Sequence, residues 1–208
     1  MTAGVSRAAI RRAVVMSAGM AAAIQEGRKT TFREVVLPQP DTPGPAMLPV
    51  SGEPYTWISG KSKWRPGYLP GDRLYVQEPW NKHGGLATYL ADGDWIAEYL
   101  EAAVPPLHRK PQWEDADGMP EEYARLELEV VSVQAKRLQA ITPEQAAAEG
   151  MVYDKAKGKY FITEGDEYKG RGTSCAREAF YMLWESMRTG YMWTANPWVW
   201  VVEFRLVD

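Results

Sequence analysis

The segment IQEGRKTTFREVV, Ile24 to Val36, joins an alanine-rich run to a run rich in β-branched residues. Ser17 is placed to cap a helix over residues 18–26, because its hydroxyl can accept from the unpaired amides of the first turn. Gly27 follows the apolar spacing of this helix and predicts a left-handed termination. The residues after it predict a strand that ends at Pro38, because proline has no N–H for a ladder.

Two further strands are predicted downstream. In PGDRLYVQEPW a turn leads into a strand on which Leu74, Val76 and Glu78 share one face. The stretch ARLELEVVSVQAKRL alternates apolar and polar residues as far as Val130, and then its apolar phase slips at Val131. A slip of this kind predicts a β-bulge or a strand shared by two sheet faces.

Two helices and a closing strand complete the regular structure. ITPEQAAAEGM predicts a helix over 143–149, with Thr142 and Gln145 as a capping box, Gly150 as terminator and Glu149 at the C-terminal end. TSCAREAFYMLWESMRTG predicts an aromatic helix over 174–188. The last stretch, NPWVWVVEFRLVD, is apolar on most of both faces, which is typical of a central or barrel-forming strand.

Polar stretches separate these elements. Residues 81–118 are acidic and rich in glycine and proline, and they are predicted to form an excursion with one hairpin at Asp92-Gly93. Residues 152–172 form a second polar insertion with four glycines. The proline-rich stretch 38–54 predicts a loop on the surface.

Length and composition indicate one domain. The chain has 208 residues, of which 45% are hydrophobic, and we expect an N-terminal extension over 1–12 followed by a single domain over 13–208. No apolar run reaches the roughly 20 residues that span a bilayer, so no membrane span is predicted. The N-terminal run that resembles a signal peptide is interrupted by Ser17 and Gly19, and the expected location is the reducing cytoplasm.

Few residues suit metal or nucleophilic chemistry. Cys175 is the single cysteine and His83 and His108 are the two histidines. An intrachain disulfide is therefore excluded, and a zinc site built from cysteine and histidine cannot be assembled. No metal or cofactor is predicted, and these three residues receive no role.

Charge is unevenly distributed along the chain. The formal net charge is -3, which argues against indiscriminate coating of nucleic acid. Residues 1–37 nevertheless hold six basic against two acidic residues, whereas residues 86–130 hold eleven acidic against three basic ones. The asymmetry is compatible with a basic face that meets a phosphate backbone, although charge alone favours two ordinary solvated faces.

The order of these motifs resembles the ASCH domain family of the PUA-like superfamily. The similarity runs from GRKT through PGDRLYVQEPW and ITPEQAAAEGM to NPWVWVVEF, covers roughly Ala13 to Val207 and is greatest to the longer bacteriophage and prophage proteins. It implies an α+β fold, a partly open β-barrel of five to six mostly antiparallel strands flanked by helices. It also implies a cleft beside the first helix for RNA, single-stranded nucleic acid or a modified nucleoside, with no cofactor.

One branch of this family hydrolyses acetylated cytidine. The resemblance carries its lysine onto Lys29 and its glutamate onto Glu149. The threonine that the branch has three residues after the lysine is replaced here by Phe32. Thr30 or Thr31 can take its place if the strand register shifts by one or two residues.

Amide hydrolysis requires an activated water, donors for the oxyanion and an acid for the leaving amine. On the resemblance, Lys29 is the candidate base, Glu149 the orienting acid or proton shuttle, and Thr30 or Thr31 the oxyanion donor. A lysine activates water only when it is neutral, and a facing carboxylate favours its charged form. The alternative is an ordinary, partly exposed ion pair between Lys29 and Glu149, worth about 0 to 1 kcal/mol.

Nucleic-acid binding would use cationic and aromatic side chains. Guanidinium groups match phosphate oxygens, and aromatic rings in turns can stack on bases. The candidates for these contacts are Arg28, Lys29, Arg33, Trp57, Trp64 and Trp80. Pairing of the arginines with neighbouring glutamates, and burial of most tryptophans, are the alternatives.

Three classes of function follow. The sequence favours a protein that binds RNA or a modified nucleoside through a basic cleft. A hydrolase of the same cleft, either an amidohydrolase on acetylated cytidine or a ribonuclease, is the second class. A phage assembly protein, whose insertions contact partners, is the third.

Overall fold

The structure is a computed structural model. The model describes residues 9–40, 48–49, 51, 55–59, 61–83, 86–102, 112–164 and 167–207. Most of the predicted loop 38–54 and most of the predicted extension 1–12 lie outside these residues.

The secondary structure mixes strands with helices along the whole chain. The helices are α1 (Ala18–Gln25), α2 (Trp95–Ala102), α3 (Pro143–Ala147) and α4 (Ala176–Ser186). The strands are β1 (Arg11–Val15), β2 (Thr31–Val35), β3 (Leu48–Pro49), β4 (Trp57–Ser59), β5 (Ser62–Trp64), β6 (Arg73–Gln77), β7 (Trp80–His83), β8 (Leu86–Tyr89), β9 (Glu127–Arg137), β10 (Val152–Asp154), β11 (Lys159–Glu164), β12 (Glu167–Thr173) and β13 (Trp198–Val207).

The main sheet has five strands in the order β1-β6-β9-β13-β2. The pair of β1 with β6 is parallel, and the other neighbours are antiparallel. Because β1 begins at Arg11, the last two residues of the predicted extension belong to this sheet. Smaller sheets have the orders β10-β11-β12, β3-β4-β5 and β7-β8. The mixed α+β class is therefore confirmed, with β1 and β2 at the edges of the main sheet among the described strands.

Strand β13 lies between two hydrophobic cores. Its residues Trp198, Trp200, Val202 and Phe204 pack into a first core with β6, β9 and α1. The alternate residues Val199 and Val201 pack into a second core with α3 and α4. The expectation of a central strand is confirmed, because the even and odd residues of one extended strand point to opposite faces.

The predicted irregularity in the long strand is a bulge. The pairing of β9 with β13 shifts its register between Glu203 and Phe204, which face Ser132 and Val130 respectively. Val131 is the extra residue, and it is 51% exposed. A bulge places one residue out of alternation without breaking the strand, which explains the slip in the apolar pattern.

The helix boundaries follow the predicted caps. Ser17 Oγ accepts from the Met20 amide at the start of α1, and Gly27 has φ of 71° just after its end. Thr142 and Gln145 form the capping box of α3, and Gly150 follows it with φ of 103°. These glycines adopt a backbone region that other residues rarely enter.

The acidic excursion differs from its prediction. The hairpin joins His83 to Leu86, and Asp92 instead ends a single helical turn that precedes Gly93. The prediction of a hairpin at Asp92-Gly93 is therefore wrong. Helix α2 was not predicted, although Asp94 was available as a signal: its carboxylate accepts from the Ala97 amide at 3.1 Å, as helix caps do.

The second insertion is a small antiparallel sheet formed by β10, β11 and β12. Strand β11 packs against α1 and α4. Its strands were not predicted because the stretch is polar and contains Gly170 and Gly172, which have φ of 74° and 66°. Within the parts of the chain described above, none of the helices has the length and apolarity to cross a membrane.

Candidate functional site

The turn after α1 and the end of α3 are joined by backbone hydrogen bonds. The amides of Arg28 and Lys29 both donate to the Ala23 carbonyl at 2.9 Å, which closes α1. The Thr30 amide then donates to the Ala148 carbonyl at 2.9 Å. Lys29 and Glu149 form an isolated antiparallel bridge, so the two ends are held side by side.

The Lys29 ammonium is buried between three acceptors. Nζ donates to the Thr31 carbonyl at 2.8 Å, to the Glu149 carbonyl at 3.1 Å and to Glu149 Oε2 at 2.9 Å. The side chains of Lys29 and Glu149 are 1% and 3% exposed. Three acceptors match the three hydrogens of a charged lysine.

The second carboxylate oxygen of Glu149 has two further partners. Thr31 Oγ1 donates to Glu149 Oε1 at 3.3 Å, and a guanidinium nitrogen of Arg33 donates to the same oxygen. Arg33 also lies over the Phe180 ring, with Cζ 5.4 Å from its centroid. Lys29, Thr31, Arg33 and Glu149 are called the buried cluster below.

The buried cluster brings together most of the residues expected at the site. Lys29, Arg33 and Glu149 were predicted to line one cleft; their side chains do contact one another, but Lys29 and Arg33 are buried, and of the three only Glu149 lines the pocket described below. The alternative of a partly exposed ion pair is wrong, because both side chains are almost fully buried. Among the described residues, the Glu149 carboxylate pairs with two cations, Lys29 and Arg33. The buried cluster therefore has one more formal positive charge than negative charge.

The register of β2 decides which hydroxyl reaches the cluster. Arg33 pairs with Val201 of β13, and Thr31 pairs with Glu203, so both side chains point to the face of the second core. Phe32 points to the opposite face, into the first core, where its ring lies 5.5 Å from the Tyr68 ring. The hydroxyl that lies beside Lys29 and Glu149 is therefore that of Thr31, whereas Thr30 is exposed.

Phe32→Thr is expected to destabilise the protein. Deleting a buried aromatic ring costs about 3 kcal/mol in transfer and cavity terms, and the new hydroxyl would lie in an apolar core. Because residue 32 faces away from the buried cluster, a hydroxyl at this position would not reach Glu149. Urea unfolding of the two proteins measures the loss, and an unchanged midpoint would contradict the burial of Phe32.

A small pocket lies next to the buried cluster. It is lined by Ser17, Gly19, Met20, Glu149, Gly150, Met151, Ile162, Thr163 and Leu183. These residues come from the start of α1, the exit of α3, β11 and α4. Ser17, Glu149 and Thr163 contribute polar side chains to this lining, and Met20, Met151, Ile162 and Leu183 contribute apolar ones.

The predicted nucleic-acid contacts are only partly available. Arg33 is buried against Glu149, which contradicts its role as a surface contact to phosphate. Trp57 and Trp64 are each 9% exposed and belong to the first core, so the expectation that they stack on bases is wrong. Trp80 stacks on Tyr123 at 5.0 Å, and base stacking by its other face stays a prediction.

The basic N-terminal segment is largely neutralised by nearby acids. Arg28 pairs with Glu26 at 2.6 Å and donates to the Gly150 carbonyl at 2.7 Å. Arg11 pairs with Glu127 at 2.9 Å. Lys29 and Arg33 are paired inside the protein, so four of the six basic residues of this segment are paired with acids.

A second polar cluster joins the acidic excursion to the main sheet. Arg125 donates to both oxygens of Glu78, at 2.9 and 3.1 Å, and pairs with Asp92 at 2.5 Å. Its guanidinium stacks on the Tyr89 ring, 3.9 Å from the centroid. Burial raises the pKa of Glu78 despite the opposing effect of Arg125. The sequence predicted that Glu78 shares a face with Leu74 and Val76 but gave no sign of its partner Arg125, which is 47 residues away.

Comparisons with known proteins identify no relative: no family model, no curated protein and no solved structure matches the chain. The resemblance to the ASCH family stays a prediction from the motifs. In the described ranges, no three histidine, cysteine, aspartate or glutamate side chains are grouped as a metal site would need.

Proposed function

We propose that this protein is a hydrolase that removes a small acyl group from an N-acylated cytosine nucleoside. In this proposal the chain is an ASCH-type protein, and its main sheet is the wall of a partly open, PUA-like barrel. The bulge at Val131 supports that curvature, because bulges bend and twist a sheet. The proposed site is the buried cluster together with the pocket beside it.

The observation that carries the proposal is the position of Thr31. On the resemblance, Lys29 and Glu149 match the lysine and the glutamate of the acetylcytidine-hydrolysing branch. Phe32 stands at the position where that branch has its threonine. In the fold, the Thr31 hydroxyl contacts the carboxylate that binds Lys29. A lysine, a threonine and a glutamate are therefore side by side, as the resemblance requires.

The buried cluster suits stabilisation of a developing negative charge. It holds two cations and one carboxylate away from solvent, so an oxyanion would balance its excess charge. Fixed donors in a water-poor site stabilise an oxyanion without reorganisation at the moment of reaction. The 3.3 Å bond from Thr31 is long for a hydroxyl donor, so redirecting it to a substrate oxygen costs little.

The contacts assign roles that differ from the sequence-based ones. Lys29 has the surroundings of an ammonium, so it serves as a cationic donor, and the Glu149 carboxylate serves as the base. Water attacks the acyl carbon while its proton passes to Glu149, and the oxyanion accepts from Thr31. The C–N bond then breaks as Glu149 returns the proton to the leaving nitrogen, which gives the free amine and the carboxylic acid.

A nucleoside fits the structure better than a polynucleotide does. Binding of a nucleic-acid backbone depends on exposed cations that release counterions. Here Lys29 and Arg33 are buried, and Arg28 is paired with Glu26. These pairings favour a site that binds one modified nucleoside and not a surface that binds along an RNA backbone.

The test is conversion of acylated nucleosides by the pure protein. Incubation with N4-acetylcytidine should yield cytidine and acetate, and mass spectrometry measures the conversion. Cytidine itself serves as the control for binding without reaction. Binding of acetylcytidine without conversion would contradict the hydrolase proposal and favour a protein that only binds the nucleoside.

A further inference from the structure

The Arg33 guanidinium has more donors than the buried cluster has acceptors for it. Lys29 is saturated, because its three hydrogens meet three acceptors. A guanidinium has five N–H groups, and within the described residues only one of those of Arg33 forms a hydrogen bond, to Glu149 Oε1. The Arg33 side chain is 2% exposed, so bulk water has little access to the other N–H groups.

The positive charge of Arg33 also lacks a full partner. Arg33 shares the Glu149 carboxylate with Lys29, and among the described residues neither cation has a second carboxylate within ion-pair distance. Glu203 of β13 pairs with Thr31 across the sheet, but Glu203 is exposed and accepts a hydrogen bond from β9. An uncompensated charge in a water-poor environment is costly, so a counter-ion is expected to bind beside it.

The surroundings of Arg33 limit the kind of counter-ion. The excess is one formal charge, so a monovalent anion balances it. The Phe180 ring covers the guanidinium, with its centroid 5.4 Å from Cζ, and belongs to the second core. A bulky anion would have to displace these packed side chains, whereas a single-atom anion needs little more room than a water molecule. The Thr31 hydroxyl, whose bond to Glu149 is 3.3 Å long, can turn to donate to such an ion.

We propose that the buried cluster binds one monovalent halide ion, such as chloride, at the unused N–H groups of Arg33. The site depends on the charge of the buried cluster and not on the hydrolysis of an acyl group. Its occupant balances the same excess charge that the oxyanion balances in the proposed reaction. Chloride is therefore a ligand of the protein in its own right.

Thermal melting in chloride tests this site. Sodium chloride replaces sodium gluconate at constant ionic strength, so only the anion changes, and gluconate is too large for a single-atom site. The melting temperature of the natural protein should rise by about 3 to 6 °C for each tenfold increase in chloride above the dissociation constant. Equal melting temperatures in the two salts would overturn the proposal.

Arg33→Gln removes the excess charge, because Lys29 and Glu149 still neutralise each other. The melting temperature of this variant should no longer depend on chloride. Arg28→Gln is the matched control: Arg28 belongs to the same segment, but it pairs with Glu26 and donates to a backbone carbonyl, so its substitution should keep the full chloride dependence. If Arg33→Gln melts with the same chloride dependence as the natural protein, the ion binds elsewhere and the proposal is wrong.

A second variant keeps the test decisive if Arg33→Gln does not fold. Glu149→Gln removes the carboxylate between the two cations, which raises the excess positive charge of the buried cluster. Its melting temperature should therefore begin to rise at a lower chloride concentration than that of the natural protein. A rise that begins at the same or a higher concentration would contradict the site. No acylated nucleoside enters these measurements, so they are decided separately from the hydrolase assay.

Discussion

Glu149→Gln is expected to lower the free energy of unfolding by about 3 to 5 kcal/mol, because it leaves two cations buried without their counter-charge. The Glu149 carboxylate binds Lys29 through one oxygen and Arg33 through the other, and all three side chains are at most 3% exposed. Glutamine has nearly the same shape as glutamate, so packing changes little. The loss in the free energy of unfolding therefore measures the contribution of charge and hydrogen bonding. Equilibrium unfolding in urea, monitored by tryptophan fluorescence, measures it.

Glu26→Gln is the matched control for this experiment. Glu26 also pairs with an arginine of the same segment, Arg28, but its side chain is 56% exposed. Exposed ion pairs contribute about 0 to 1 kcal/mol, so this variant should unfold close to the natural protein. Equal effects of the two substitutions would show that Glu149 does not neutralise buried charge in solution.

The parts of the fold that local chemistry determines were predictable. Ser17, Gly27, Thr142 and Gly150 have the predicted roles, because helix caps depend on residues three or four positions apart. The bulge at Val131 was predictable for the same reason, since a one-residue slip in alternation leaves its mark in the sequence.

Features that depend on distant partners were not predictable in this way. Trp57 and Trp64 lie near turn signals, and nothing local indicates that β4 and β5 fold back over the first core. Trp57 meets the ring of Trp200, 4.9 Å away between centroids, although the two are far apart in the chain. Turn chemistry locates a residue along the chain but does not determine whether its side chain is exposed.

The candidate site contains, within one segment, a feature that the sequence predicts and a feature that depends on distant partners. Lys29, Thr31 and Arg33 alternate at a period of two, which was a visible sign that the three share one face of an extended chain. The sequence could not show which face β13 would cover or where the strand would begin to pair. Because pairing includes Thr31, Phe32 enters the first core and Thr31 reaches Glu149.

Thr31→Val is expected to lower kcat for acetylcytidine about a hundred- to a thousandfold, which is the usual loss when one oxyanion donor is removed. Valine keeps the branched shape of threonine but has no hydroxyl, so the packing of β2 against β13 changes little. If the hydroxyl acts on the transition state, KM should stay near its original value while kcat falls. Initial rates over a range of substrate concentrations separate these two effects.

Thr30→Val is the matched control, and Thr31→Ser is the rescue. Thr30 is the neighbouring threonine, but it is exposed and away from the buried cluster, so its substitution should leave the rate unchanged. Thr31→Ser restores a hydroxyl at the same position and should recover most of the activity. If Thr31→Val retains full kcat, the hydroxyl does not contact the reacting group. If Thr30→Val and Thr31→Val lose activity equally, the effect comes from the strand, because only Thr31 contacts Glu149.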